Sequence, residues 1–206
     1  ICGEFIDGIL AAALRMGECN ACMHCIVAAP TAGACGVLPA VLLPYGRRYE
    51  LPEDALIKAL YVASGFGAVI AQRASISGAE AGCQAEIGTA AAMAAAALVY
   101  LHGGSAVQMA NAAAMALKNM MGLVCDPVAG LVEVPCIKRN AAGAMNALCA
   151  AEMALAGIES RIPPDEVIDA MAAVGAALPS SLRETGMGGI AASPTAVKFR
   201  EEFFGQ

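Results

Sequence analysis

Nine cysteines in 206 residues carry most of the chemical potential of this chain, and their spacing separates two groups. Cys19, Cys22 and Cys25 follow the C-x2-C-x2-C pattern of bacterial ferredoxins, in which a fourth cysteine comes three residues later with a proline behind it. Here Ala29 stands ahead of Pro30, and on a helix the same spacing puts three small apolar thiols on one slowly drifting face. Core packing is the expectation for this triplet. The second group is Cys83, Cys125 and Cys136. Cys83 opens a helix, where the positive end of the dipole favours a thiolate. Cys125 and Cys136 close the loop CDPVAGLVEVPC, in which Pro127 and Pro135 interrupt helix and Gly130 permits a turn. Three thiolates converging from such separated positions would hold a metal. A four-iron cluster usually takes four cysteines, so three leave one iron open, as in catalytic rather than closed sites. An open iron acts as a Lewis acid on a departing hydroxyl, which makes dehydration the reaction class. Zinc also accepts three thiolates, and spacing does not choose between the metals.

Other residues could hold an anionic or amino-acid ligand. Pro30, Thr31, Ala32 and Gly33 form a helix-breaking stretch, and free N–H groups ahead of the next helix could bind a carboxylate. The helix after Cys136 starts with Lys138, Arg139 and Asn140, and the two cations place positive charge at its N-terminus, which is unfavourable unless an anion compensates it. Arg183 lies beside Gly186, Gly188 and Gly189, a turn that could clamp a carboxylate. His24 and His102 read as structural.

The elements that must position these groups read as all-α: a compact bundle of Ala/Gly-rich helices with cysteine-bearing loops. Forty-eight alanines and 22 glycines account for the 59% hydrophobic content without lipid, because small residues let helices bury one another on several faces. The expected first helix spans residues 4–16 and ends at Gly17. Ser105 caps the helix that follows the Gly103-Gly104 break. No linker divides residues 1–206, so one domain is expected. A net charge of −6, no basic stripe and 4% aromatics argue against nucleic acid, and no membrane is expected. An odd cysteine count in an apolar helical chain points to a reducing cytoplasm.

Four segments, APTAGACGVLPAVL, GCQAEIG, CDPVAGLVEVPCIKRNAAGAMNA and LRETGMGGIA, together resemble the alpha subunit, or catalytic domain, of the iron-sulfur-dependent L-serine dehydratases. The resemblance runs from about Asn20 to Thr195. It implies an all-α fold, a [4Fe-4S] cluster on Cys83, Cys125 and Cys136, and conversion of L-serine to pyruvate and ammonia by β-elimination of water. It also implies a beta subunit or beta domain of the same enzyme and an oligomeric assembly, so the chain reads as a piece that lacks that partner. Lys138 is then a candidate base or carboxylate partner, and Thr31, Ala32, Gly33, Asn140 and Arg183 are candidate substrate contacts. A cysteine desulfidase and a non-catalytic electron carrier using the 19/22/25 triplet are the competing readings.

Overall fold

The computed structural model describes residues 1–205. Nine α-helices appear among them, with no strand beyond a single bridge between Cys125 and Arg183. α1 (Gly3–Ala21), α2 (Val37–Arg48) and α3 (Glu53–Arg73) lead to a four-residue α4 (Gly78–Ala81). A π turn, Gln84–Gly88, runs directly into α5 (Thr89–Leu101), followed by α6 (Ala106–Met120), α7 (Cys136–Leu155), α8 (Pro164–Ala177) and α9 (Pro194–Phe204).

α5 is the axis of the bundle. Residues 89–99 are all buried, and α2, α3, α6 and α7 pack round it. A helix enclosed on every side has no polar face, so it must be apolar all round. Here the apolar residues are mostly alanine, because helices approach closely only where side chains are short. By length and composition Gln84–Leu101 and α3 are apolar enough to cross a membrane, yet the first of these is this enclosed core helix. The capping box expected at Ser105 is present: its hydroxyl accepts from the Gln108 N–H, and the Gln108 side chain accepts from the Ser105 N–H.

Gly17 departs from expectation. The first helix does not stop there but continues to Ala21, and Gly17 is buried against α7, where an added Cβ would lie 3.1 Å from the Ile137 Cα. The glycine permits a close helix crossing instead of a left-handed cap. Cys19, Cys22 and Cys25 also depart from it. Cys22 and Cys25 are exposed and Cys19 is half-buried, because α1 ends at Ala21 before a packed face can form over them.

Glycines in the bundle should therefore divide by what surrounds them. A Cβ at Gly143 would meet Ile87 Cγ2 at 2.8 Å and Val37 Cγ2 at 3.1 Å, whereas Gly8 has nothing within 4 Å. Gly143→Ala is expected to cost about 1–3 kcal/mol through overpacking. Gly8→Ala, on an exposed helical face, should gain roughly 0.5–1 kcal/mol. Urea unfolding midpoints check both.

Candidate metal centre

The site is assembled where the π turn meets three loops. Cys83 immediately precedes the turn, and Glu86 lies three residues later within it. Widened turns of this kind are rare and frequently occur at functional sites. The Cys125 loop is brought to Cys83 by Gln84, which is fully buried. Its backbone N–H donates to the Leu123 carbonyl (2.9 Å), its Oε1 accepts from the Gly122 N–H (2.8 Å), and its Nε2 donates to the Met171 carbonyl of α8 (3.0 Å). On the far side the Cys125 N–H donates to Leu182 O (2.9 Å), and Cys125 O accepts from the Glu184 N–H (2.7 Å).

The result is a compact donor set. The ligand atoms of Cys83, Glu86 and Cys125 all lie within 4.8 Å of one another, and both thiols are buried. Cys136, at the first position of α7, stands outside this mutual set but within electrostatic reach of Cys83 and Glu86. Gly78 keeps the cradle open, since a Cβ there would lie 2.6 Å from Glu86 Oε2 and 3.1 Å from Cys125 Sγ. Two buried thiols, a third at the rim and a carboxylate are donors that suit a metal. The 19/22/25 triplet forms no such group among the described residues.

Arg139 supplies the positive charge. Its NH1 donates to Val124 O and its NH2 to Asp126 Oδ1, each at 2.8 Å, and Asp126 is 2% exposed. Asp126 Oδ2 also accepts from the Ile190 N–H at 2.8 Å, which ties the glycine-rich tail to the same pair. The facing Cys125 thiol holds Cys83 below its ordinary pKa, and Arg139 adds to this, so Cys83 ionises first of the pair. Cys125 is pushed well up, by Cys83 first and by burial second. Burial pushes Cys136 up to about 12, and the charge on Cys83 reinforces it. Burial alone would lower the Arg139 pKa, but Cys83 and Asp126 outweigh it and the net shift is upward. Burial likewise raises the Glu86 pKa.

The expected ligand-binding residues separate. Thr31 and Gly33 do join the site, while Ala32 between them is exposed: Gly33 packs against the Glu86 carboxylate, with an added Cβ 3.3 Å from Oε2. Buried Thr31 Oγ1 is directed toward the Glu86 carboxylate, which it helps to stabilise against burial. Asn140 is 1% exposed and its amide is used by the protein. Its Nδ2 donates to Gly33 O (2.8 Å) and Cys136 O (3.0 Å), and its Oδ1 accepts from the Gly36 N–H (2.8 Å), fastening the 31–36 loop to α7. That Gly36 N–H is among those expected to be free for a carboxylate. Arg183 is directed to the end of α8, where it donates to the carbonyls of Ala176 and Leu178. Lys138 is exposed and lines a surface groove with Ala11, Leu14, Arg15 and Glu18 of α1. Glu86, Gln84 and Asp126 are the site residues that the sequence reading passed over; the charge conflict at 138–139 had already marked Arg139.

Comparison with known proteins gives a consistent result. A family described as the serine dehydratase alpha chain matches residues 1–191. The probable L-serine dehydratase alpha chain of Bacillus subtilis (strain 168) is 54% identical over 203 residues, covering 98% of this chain and 68% of that relative. The protein of the same description from Latilactobacillus sakei is 55% identical over 194 residues, with 94% and 93% covered. L-serine dehydratase 1 of Escherichia coli (strain K12) is 45% identical over 188 residues, which is 90% of this chain but 41% of that longer relative.

Loss of the Asn140 amide leaves the buried Gly36 N–H without its acceptor, so Asn140→Ala should cost about 1–3 kcal/mol. Lys138→Ala, at an exposed position, should stay within about 0.5 kcal/mol of the parent. Equilibrium denaturation of the two variants side by side measures the difference.

Proposed function

The chain belongs to the serine dehydratase alpha-chain family, and on that footing we propose that it is the alpha chain of an iron-sulfur L-serine dehydratase, a lyase that eliminates water from L-serine to give pyruvate and ammonia. The observation that carries this reading is the meeting of Cys83 and Cys125, 42 positions apart, with a carboxylate inside the region matched by the family.

In this reading Cys83, Cys125 and Cys136 hold a [4Fe-4S] cluster. The cluster, when bound, supplies Lewis acidity toward the leaving hydroxyl. The chain's own residues do the rest of the positioning. Gly33 brings its backbone up to the site without a side chain, and the buried Thr31 hydroxyl is directed toward the Glu86 carboxylate. Asn140 fixes that loop relative to Cys136. Asp126 holds the Arg139 guanidinium against the sulfurs, where it offsets negative charge that the apolar bundle cannot solvate. Lys138 lies on the α1 groove, and Asn140 and Arg183 are committed to backbone groups. A beta chain completes the enzyme as an oligomer, and the nine cysteines, all free, fit a reducing cytoplasm.

A second reading rests on how close the donors are. Atoms within 4.8 Å also suit a single zinc ion, whose bonds to sulfur and oxygen are about 2.0–2.3 Å. Iron with acid-labile sulfide in anaerobically purified protein supports the cluster, whereas zinc alone overturns it.

The activity test mixes anaerobically reconstituted chain with its beta partner. Pyruvate release from L-serine is expected, with loss in air and a fall to background in Cys125→Ser. Unchanged turnover in Cys125→Ser, or sulfide release from L-cysteine exceeding pyruvate formation, overturns the assignment.

A further inference from the structure

Glu86 has no cation of its own. Among the described residues its carboxylate makes no ion pair, and the neighbouring Arg139 is committed to Asp126 and Val124 O. The fold nonetheless makes room for this carboxylate from two directions, because Gly78 and Gly33 both leave out the Cβ that would press on it, at 2.6 Å and 3.3 Å from Oε2. The Thr31 hydroxyl and the Gly78 backbone face this carboxylate, and neither carries a charge that could balance it. A carboxylate withdrawn from water costs several kcal/mol unless it is paired or coordinates a metal. Its oxygen lies within 4.8 Å of both Cys83 Sγ and Cys125 Sγ, and the same π turn carries Glu86 and the cysteine before it.

We propose that Glu86 is a metal ligand, and that its carboxylate is the exchangeable fourth protein donor to the metal group held by Cys83, Cys125 and Cys136 when no substrate is present. This rests on the cluster reading above and adds a donor other than sulfur. Thiolates are the donors that select iron-sulfur clusters, so the single oxygen is the one that yields its place to an incoming ligand. The short reach from the π turn keeps the displaced carboxylate beside the site, where the Thr31 hydroxyl can receive it.

The experiment uses the full chain in complex with its beta partner, reconstituted anaerobically. The EPR signal of the reduced cluster is recorded without substrate in ordinary water and in 17O-enriched water, for the parent and for Glu86→Gln. The parent should show no 17O broadening. Glu86→Gln, with a neutral and poorer donor, should admit water and broaden, with iron and acid-labile sulfide per chain unchanged. Equal broadening in parent and variant overturns the Glu86 proposal and leaves the cluster standing. Absence of iron and labile sulfide from the anaerobic parent overturns the cluster reading and this proposal with it. If Glu86→Gln does not fold, the parent spectrum decides alone: broadening refutes the proposal and its absence supports it.

Discussion

A helix with no exposed face is the constraint from which this structure follows. α5 is covered by four neighbours, so most side chains along it are apolar and short, and alanine meets both demands. The tight packing that results has two effects at the N-terminal end. It leaves little freedom in the backbone that carries Cys83 and Glu86, and it removes water that would otherwise solvate their charge. The π turn is where the close-packed helix gives way to the site, and the change in winding occurs between two residues that both face the sulfurs.

Removing water raises the energy of any ion, so the site needs a matched set of charges. Arg139 answers Cys83, and Asp126 answers Arg139, which forms a chain of alternating sign from the surface tail to the thiols. A buried ion pair of this kind contributes little net stability, because desolvation offsets most of the attraction. What it fixes is position. The guanidinium has both terminal nitrogens engaged, so its location relative to Cys83 is set by two hydrogen bonds. Asn140 and Gln84 do the same work without charge: the Asn140 amide locks the 31–36 loop to α7, and the Gln84 amide ties the Gly122 loop and α8 to its own turn.

The all-α class was legible because alanine runs and cap residues are local signals, and the capping box at Ser105 shows how well a local rule can be read. The cysteines stood out because thiols are few in kind and chemically distinctive. The residues that the sequence reading passed over share a different property. Gln84 and Asp126 act through partners 13 to 87 positions away and Glu86 through a cavity, and neither appears in spacing along the chain. At Arg139 the local signal was present, as excess positive charge at a helix start, but it could not say which of two adjacent cations turned inward. A helix rotates about 100° per residue, and that angle sends Lys138 to the α1 groove and Arg139 to the thiols. Gly17 was misread for a similar reason: a glycine that ends a helix and one that admits another helix look alike until the neighbour is known.

Asp126 holds Arg139 with one oxygen and the Ile190 backbone with the other, while Gly189, with a φ of +61°, packs so closely that an added Cβ would lie inside the carboxylate's contact distance. The exposed 189–190 rim and the inner guanidinium therefore share a single carboxylate. Asp126 thus leaves one hydrogen bond between the outer edge of the molecule and the carboxylate that seats the cation beside its sulfurs.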